Sequence, residues 1–272
     1  MTDKVNWRSW LVPAGVSDWA NRRSRHRTQF DDTFPSWENA ATQGSGYGAG
    51  EILTRVQAST AAVLSGEAAF ERDGVVFTAP QYRWPVLAGL LEVAAREGEL
   101  RVLDFGGSLG SLYWQHREFL SGGKVSWSVI EQPAFVAVGN SLNQDCVDFF
   151  PNVTQYLESA SPNVILLSSV LQYLPNAEQT LQELLATPAN YLIIDRTPMS
   201  DLHANIAALQ VVPKHIYSSS YPSWIFSRPW LRDQLAGWEI VSEFAGIEPE
   251  GNTKKGVHFS WDGLIARRKN HD

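Results

Sequence analysis

The chain has little of what marks several large classes of protein. It contains a single cysteine, Cys146, in 272 residues, which excludes an internal disulfide framework and a multi-cysteine zinc site. Acidic residues outnumber basic ones, 29 to 22, so no basic excess is present to displace the counterions of a nucleic acid. No apolar run is long enough to span a bilayer, and the N-terminus lacks the pattern of a signal peptide. We therefore expect a cytoplasmic protein that binds no nucleic acid and has no membrane span.

Two regions of the chain differ in their pattern. Residues 1–80 contain a basic cluster at 22–27, a glycine-rich stretch at 44–50 and a predicted helix over 51–64. We expect this region to be an N-terminal, mainly helical extension or cap. From residue 81 to residue 272, predicted strands and helices alternate. The strands are 101–105, 125–131, 147–150, 163–169 and 191–195, and the helices between them are 111–120, 134–143 and 177–185.

This alternation indicates right-handed βαβ units and a parallel sheet. The C-terminal part departs from it, because a helix near 229–236 is followed by two apolar segments, 238–244 and 256–266, that resemble a hairpin. The predicted fold class is α/β and Rossmann-like: a mostly parallel seven-stranded sheet with a C-terminal antiparallel hairpin and an N-terminal helical extension.

A glycine turn follows the first predicted strand of this domain. The strand ends in Asp104, where a carboxylate in a core would be costly without a partner. Gly106, Gly107 and Gly110 come next, and they allow a sharp turn and a close approach of backbone to ligand. A strand, tight turn and helix at the carboxyl end of a parallel sheet form the usual position of a nucleotide-like cofactor.

The spacing of the turn leaves two cofactors open. The dinucleotide fingerprint is G-x-G-x-x-G, whereas this chain has G-G-x-x-G with Ser108 in place of the middle glycine. The terminal hairpin also replaces the second nucleotide-binding half that a dinucleotide fold requires. Both observations disfavour NAD without excluding it. Glu131 closes the second strand, and an acidic side chain there accepts hydrogen bonds from ribose hydroxyls of NAD or of an adenosyl cofactor.

Several segments resemble class I S-adenosylmethionine-dependent methyltransferases. They are LDFGGSLGSLYWQ, VIEQPAFV, LLSSVLQYLPN and IIDRTPMS, together with YRWPVLAGLL at 82–91 and SYPSWIFS at 220–227. More narrowly, they are similar to a bacterial methyltransferase family of unassigned substrate that is often associated with surface-polysaccharide gene clusters. The resemblance covers residues 45–268 and implies S-adenosylmethionine as the cofactor.

The resemblance also implies roles for individual residues. Asp104 and the three glycines of the turn would contour the methionine end of the cofactor, and Glu131 would hold the ribose. Gln132 would border the adenine. The acidic residue that often binds the adenine amine after the third strand is absent, and Asn152 is the nearest substitute. Ser169, at the end of the fourth strand, completes the predicted cofactor contacts.

Methyl transfer to a hydroxyl requires a general base beside a well-positioned acceptor. The candidate bases follow the fourth and fifth strands: Tyr173, Asp195, His203 and His215. Arg196 is a candidate for binding a carboxylate or phosphate of the substrate, and Tyr221 lies in an aromatic stretch that would fold over it. Carboxylates are not clustered with metal-ligand spacing, so no metal is expected.

The predicted reaction is methyl transfer to a small polar acceptor such as a sugar or sugar-nucleotide. Two other classes stay open at this point. One is an oxidoreductase that uses NAD or a nucleotide-sugar, and the other is a non-catalytic binding module with a methyltransferase-like fold. The sequence also leaves open whether the chain forms a homodimer.

Overall fold

The computed structural model describes residues 29–44, 49–142, 146–211 and 220–269. In chain order the strands are β1 (Gln29–Phe34), β2 (Phe70–Arg72), β3 (Val75–Phe77), β4 (Leu100–Phe105), β5 (Val125–Ile130), β6 (Val147–Phe150), β7 (Val164–Ser168), β8 (Tyr191–Ser200), β9 (Ile206–Val211), β10 (Ser220–Ser227), β11 (Trp238–Ala245), β12 (Gly251–Asn252) and β13 (His258–Arg268). The helices are α1 (Trp37–Ala41), α2 (Ala49–Leu64), α3 (Trp84–Glu97), α4 (Ser111–Leu120), α5 (Pro133–Ser141), α6 (Val153–Ser159), α7 (Ala177–Leu185) and α8 (Arg228–Gln234), with a 3₁₀ turn at Leu171–Tyr173.

Seven strands of an eleven-stranded sheet, in the order β6–β5–β4–β7–β8–β13–β11, form the centre of the molecule. The first five strands pair in parallel. β13 is antiparallel to both of its neighbours, β8 and β11. The structure thus confirms the predicted fold class, a Rossmann-like α/β sheet that is mostly parallel and ends in an antiparallel hairpin.

The strands of the parallel part have apolar side chains on both faces. Residues 164–167 of β7 are all fully buried, as expected for a strand covered by helices on both sides. One apolar cluster joins α3 and α4 to the sheet, with Leu90 and Trp127 fully buried in it. A second cluster joins α7 and α8 to the opposite face through Leu181 and Leu231. The carboxyl ends of β4, β5, β7 and β8 therefore meet at one edge of a three-layer sandwich.

Additional strands extend the sheet beyond this core. β8 continues past its predicted end at 195 to Ser200, and its last residues pair in parallel with β10. β10 pairs with β9, and β9 pairs with β1, both antiparallel. β2 and β3 form a separate hairpin.

The predicted extension 1–80 is described here over residues 29–44 and 49–80. This part contains the helices α1 and α2 and also the strands β1, β2 and β3. The basic cluster at 22–27 and most of the glycine-rich stretch lie outside the described residues, and the domain boundary at residue 80 stays a prediction. In the part of the chain that the structure describes, no helix has the length and apolar character needed to cross a membrane.

Candidate functional site

The glycine loop (residues 104–110) joins β4 to α4 at the carboxyl edge of the sheet. Gly106 and Gly110 have φ values of 72° and 82°, and Ser108 has a φ of 58°, all in the left-handed region that L side chains rarely adopt. The Gly106 N–H donates to the Ile130 carbonyl at the end of β5 (2.9 Å). The loop is therefore fixed to the neighbouring strand at its first turn.

Two of its glycines are required by the packing of the protein itself. A Cβ on Gly106 would lie 2.3 Å from Val170 Cγ2, and a Cβ on Gly107 would lie 2.3 Å from Asp104 Oδ2. Both distances are far below van der Waals contact, so any side chain there displaces Val170 or the Asp104 carboxylate. These glycines shape the loop around Asp104, and their predicted contact with a cofactor stays a prediction.

Asp104 is enclosed by the loop and is only 1% exposed. Trp127 Nε1–H donates to its Oδ2 at 3.0 Å. Burial raises the pKa of Asp104 to about 7, the nearby Glu131 carboxylate contributes to the rise, and the Trp127 hydrogen bond opposes it. Near neutral pH this carboxyl group is thus poised between its protonated and ionised forms, and a neighbouring cation would favour the ionised form.

Glu131 follows β5 and lies beside the same loop. Its Oε2 accepts a hydrogen bond from the Gln132 backbone N–H at 2.8 Å. Burial raises the pKa of Glu131, and backbone hydrogen bonds from Gln132 and Ser108 oppose the rise. The structure thus brings the predicted cofactor residues Asp104 and Glu131 together around Ser108, with Gln132 exposed next to them.

Asn152 has a structural role in this arrangement. It is the N-cap of α6, and its Oδ1 accepts the Gln155 backbone N–H at 2.9 Å. Such a cap satisfies one of the free N–H groups at the start of a helix. Any contact of Asn152 with adenine would be made by the remainder of its side chain and stays a prediction.

The ends of β7 and β8 form a second group of functional candidates. Ser169 and Arg196 have φ values of 56° and 52°. Gln172 Nε2 bridges them, since it lies 3.1 Å from Ser169 Oγ and 3.3 Å from the Arg196 carbonyl oxygen. The buried Gln172 Oε1 has no hydrogen-bond partner among the described residues.

Strained backbone is concentrated at this edge of the sheet. Four non-glycine residues in the described ranges have positive φ values: Asp73, Ser108, Ser169 and Arg196. Ser108 lies in the glycine loop, Ser169 and Arg196 share Gln172, and Asp73 contacts Arg196. Such conformations are costly and cluster at functional sites. Their convergence marks the carboxyl ends of β4, β7 and β8 as the candidate site.

Asp195 forms a buried ion pair with Arg83, which the sequence pattern does not predict. Both carboxylate oxygens accept from the guanidinium, with Arg83 Nε 3.2 Å from Oδ2 and Nη2 bonded to Oδ1. Ser168 Oγ also donates to Oδ2 (3.2 Å). Because Asp195 has no exposed area and Arg83 is 6% exposed, this geometry gives Asp195 a positioning role, and its service as a base has no support from its contacts.

After Arg83, His116 is a second residue of this site that the sequence analysis does not predict. It is fully buried. Its Nε2 accepts the Arg83 backbone N–H at 3.0 Å, and its Nδ1 lies 2.7 Å from the Leu112 carbonyl oxygen. Since one partner can only donate and the other can only accept, the ring is the neutral Nδ1–H tautomer. Burial lowers the pKa of His116 to about 4, so it orients Arg83 as a neutral group.

Arg196 is neutralised by carboxylates of the protein. Its Nη2 lies 2.7 Å from Asp73 Oδ2, and its Nε lies 2.6 Å from Glu248 Oε1. These two contacts hold the pKa of Arg196 well above its ordinary value, although burial acts in the opposite direction. The predicted substrate arginine is therefore at the site but is already paired on two of its nitrogen atoms.

Tyr173 and Tyr221 meet next to Arg196. Their ring centroids are 5.3 Å apart in an edge-to-face arrangement, and Gln210 Nε2 lies 3.4 Å from the Tyr221 hydroxyl. Burial raises the pKa of Tyr173, with Gln210 among the groups that oppose the rise. The phenol of Tyr173 is thus protonated at neutral pH and suits hydrogen bonding to an acceptor better than removal of its proton.

The two histidines proposed as bases are placed differently. His203 is exposed in the turn after β8. The four residue steps of β8 from Arg196 to Ser200 span about 13 Å, so His203 follows the far end of this strand and not the part that carries Arg196. His215 belongs to the segment 212–219, outside the described residues, and its role stays a prediction.

A hairpin over the glycine loop was also missed. β2 and β3 are joined by Asp73-Gly74, with φ values of 53° and 73°. An Asp-Gly pair between two apolar segments is a strong hairpin signal, and FERDGVVF carries it in the sequence. The hairpin brings Glu71, Arg72 and Asp73 to the site.

Two surface cavities, of about 550 Å³ and 450 Å³, are lined by other parts of the molecule. The first is formed by α7, β10 and neighbouring residues, and the second by α8, β11 and β13. Neither has a residue of the glycine loop in its wall. In the described ranges, no group of three or more His, Cys, Asp or Glu side chains is arranged to hold a metal ion.

Comparisons with known proteins add the following. No family model and no curated protein matches the chain. Among solved structures it is similar to the Burkholderia thailandensis 1,6-didemethyltoxoflavin-N1-methyltransferase with bound 1,6-didemethyltoxoflavin and S-adenosylhomocysteine (18% identity, TM-score 0.41, covering 83% of this chain and 92% of that one).

Two further likenesses are to proteins whose structures were solved with the same kind of cofactor. One is the N-terminal domain of EvdMO1 in the presence of S-adenosylhomocysteine and D-fucose (12% identity, TM-score 0.48, covering 82% of this chain and 98% of that one). The other is S-adenosylmethionine-bound CalS10, an amino pentose methyltransferase from Micromonospora echinaspora (12% identity, TM-score 0.43, covering 77% of this chain and 96% of that one). With identities below 25% and TM-scores below 0.5, these likenesses assign no activity to the chain.

Proposed function

We propose that this chain binds S-adenosylmethionine at the glycine loop and transfers its methyl group to a small polar acceptor, such as a sugar or sugar-nucleotide hydroxyl. The observation that supports this best is the pair of acidic side chains, Asp104 and Glu131, that β4 and β5 hold around the loop. The bound sulfonium cofactor would supply an electrophilic methyl group. The protein residues would position it and the acceptor.

Asp104 fits the cationic end of such a cofactor. Its carboxylate is buried and accepts one hydrogen bond, from Trp127, among the described residues. A carboxylate has about four lone-pair sites, so it has capacity for a further donor. An ammonium or sulfonium group nearby would favour its ionised form and offset the cost of burial.

Glu131 fits a pair of ribose hydroxyls. The hydrogen bond from Gln132 uses only part of its acceptor capacity, and the side chain is half-buried at the edge of the loop. Gln132, Asn152 and Ser169 are proposed to border the cofactor on either side of this pair. The preference of the site for an adenosyl group over NAD rests on the G-G-x-x-G spacing and the terminal hairpin.

The acceptor is proposed to bind on the β8 side of the glycine loop, against Tyr173 and Tyr221. An in-line displacement requires nucleophile, methyl carbon and sulfur to be collinear, and the fixed ends of β4, β7 and β8 provide rigid supports for this alignment. Tyr173 would donate a hydrogen bond to the acceptor. His215 remains the proposed base, because Asp195 is ion-paired and His203 lies beyond the site.

The wider parts of the proposal rest on the composition of the sequence and on the family resemblance of its segments. We place the reaction in the cytoplasm and connect it with polysaccharide biosynthesis, and we regard residues 1–80 as a cap on the domain 81–272. The Glu71 contact with the first residue of α4 supports the idea of a cap.

Isothermal titration calorimetry tests the cofactor first. We expect the chain to bind S-adenosylhomocysteine and not NAD. Glu131→Gln should lower the affinity for S-adenosylhomocysteine about 10- to 100-fold, because hydrogen bonds to a charged group contribute about 1.5–3 kcal/mol. The control Glu118→Gln, an exposed position on α4, should bind like the parent. Binding of NAD alone would refute the proposal.

Turnover tests the reaction itself. The protein is incubated with S-adenosylmethionine and a panel of sugars and nucleotide-sugars, and release of S-adenosylhomocysteine is followed. Methylated product with a member of this panel supports the proposal. Tight cofactor binding with no turnover on any member would instead favour the non-catalytic binding module.

A further inference from the structure

Arg72 occupies an unusual position at the tip of the β2–β3 hairpin. Its guanidinium carbon lies 5.4 Å from the ring centroid of Phe70 and 5.6 Å from that of Phe77. The two rings are stacked, with centroids 4.5 Å apart and planes 5° from parallel. The guanidinium is thus held by cation–π contacts, which leave its N–H groups free to donate.

Three guanidinium groups converge at this point. Arg83 is paired with Asp195, and Arg196 is paired with Asp73 and Glu248. Within the described ranges, Arg72 has neither a carboxylate nor any other hydrogen-bond acceptor in contact with its guanidinium. Burial lowers the pKa of Arg72 to about 10, and the neighbouring Arg196 contributes to the lowering. Arg72 therefore stays charged at neutral pH in a half-buried position. Besides Arg196 and Arg83, the carboxylates of Asp73 and Glu248 act on it from nearby, but both are paired with Arg196.

A charge in such a position is costly unless an anion balances it. Cation–π contacts with two phenylalanines return only part of that cost. The planar fork of an arginine suits a carboxylate or phosphate, which it binds through two parallel hydrogen bonds. The geometry therefore lacks one component, an anionic group over the hairpin tip.

The position of Arg72 relative to the sheet indicates which molecule would supply the anion. Arg196, its neighbour, belongs to β8, and β7 separates β8 from β4. With strands about 4.8 Å apart, the backbone of Arg196 lies about 10 Å across the sheet from that of Asp104. Glu131 follows β5, on the opposite side of β4. A cofactor that spans Asp104 and Glu131 thus extends away from the β8 side of the site, where Arg196 lies beside Arg72.

We propose that Arg72 binds an anionic group, a carboxylate or a phosphate, of the methyl acceptor. This inference rests on the proposed function and narrows its substrate class to anionic sugars and phosphorylated sugars. It also transfers the role predicted for Arg196 to Arg72, because Arg196 is neutralised within the protein.

Thermal unfolding in the presence of saturating S-adenosylhomocysteine tests this site with simple probes. We expect inorganic phosphate, glucose 1-phosphate and glucuronate to raise the melting temperature, and neutral glucose not to raise it. In Arg72→Met the apparent affinity for each anion should fall about 10- to 100-fold, as expected for the loss of a charge-assisted pair. Arg72→Lys should retain part of the effect. Arg232→Met, at an exposed arginine on α8, is the control and should behave like the parent.

Three results would overturn the proposal. The first is the absence of any anion effect on the parent protein, and the second is an equal effect in Arg72→Met. The third is weaker S-adenosylhomocysteine binding by Arg72→Met with unchanged binding of 5′-methylthioadenosine, which lacks the carboxylate. That pattern would assign the anion to the cofactor.

Two controls distinguish the anion site from a purely structural role of Arg72 and from the proposed function. Without added anion, Arg72→Met should melt at or above the temperature of the parent, since it removes a charge that has no ion pair; a lower melting temperature would indicate a purely structural arginine and contradict the proposal. If the parent shows the anion effect but binds no S-adenosylhomocysteine, the proposed function fails while the anion site stands.

Discussion

At the scale of a single residue, the surroundings of Asp104 oppose the ionisation of its carboxyl group. Burial within the glycine loop raises its pKa from 3.8 to about 7. Its protonated form is therefore favoured in the folded state, so the stability it contributes is full below about pH 4 and is lost as the pH rises towards 7. Above pH 7 the accumulated loss is about 4 kcal/mol, because every pH unit between the unfolded and the folded pKa costs about 1.4 kcal/mol.

The variant Asp104→Asn tests this directly, because an amide has no ionisation to oppose and its oxygen still accepts from Trp127. We expect the variant to gain stability relative to the parent as the pH rises from 5 to 8, by about 3 kcal/mol, because two pH units of that range lie below the folded pKa of about 7. Urea denaturation at four pH values in that range measures the difference. Asp148→Asn, at an exposed position of β6, is the control. A difference that does not change with pH would contradict the raised pKa.

At the scale of secondary-structure elements, the β2–β3 hairpin is attached to the start of α4. Glu71, 2% exposed, accepts from the Ser111 hydroxyl, and its other oxygen accepts the Gly74 N–H at 3.1 Å. Ser111 follows Gly110 directly, so one side chain connects the turn of the hairpin with the end of the glycine loop. The geometry of the loop therefore depends on an element outside the seven-stranded sheet.

We expect Glu71→Ala to lower the free energy of unfolding by about 1–3 kcal/mol, because it leaves buried donors unsatisfied. It should also weaken the binding of S-adenosylhomocysteine, since the start of α4 loses its attachment to the hairpin. Chemical denaturation and calorimetry measure the two effects. In a double-mutant cycle with Ser111→Ala, we expect a coupling of at least about 0.5 kcal/mol. Additive effects would show that the Glu71–Ser111 hydrogen bond contributes nothing.

The elements that the sequence predicts well are those with a strong local pattern. The helices over 111–120 and 177–185 and the strand over 147–150 have the predicted bounds. The apolar runs of β7 and β8 are recognisable because both faces are buried. The β2–β3 hairpin, although missed, also carries a local signal in Asp73-Gly74. β1 and β9 were missed, because their formation depends on pairing with each other across most of the chain.

The same division holds for the candidate site. Asp104 and Glu131 could be predicted because each follows a strand directly, and parallel strands end at one edge. The Arg83–Asp195 pair joins residues 112 positions apart, and no spacing rule connects them. For the same reason Arg196 was expected to face a substrate, although Asp73 and Glu248 neutralise it. Local pattern locates the edge of the site, whereas its charge balance depends on long-range contacts.

At the scale of the whole molecule, the N-terminal strand is packed into the main body. Phe30 of β1 is fully buried, with its ring centroid 4.7 Å from that of Phe259 and 6.0 Å from that of Trp261. Both partners belong to β13, the antiparallel strand of the central sheet. β1 is also joined to β8 through β9 and β10. We therefore expect the strands on both sides of residue 80 to unfold together.

Phe30→Ala tests this coupling. Removal of a fully buried phenylalanine costs about 3–5 kcal/mol, and we expect the whole loss in one cooperative transition that fluorescence and circular dichroism report at the same denaturant concentration. Phe34→Ala, at a half-buried position of the same strand, is the matched control and should cost less. If Phe30→Ala instead produced two transitions, and S-adenosylhomocysteine shifted only the later one, β1 would belong to a unit that unfolds independently of the glycine loop.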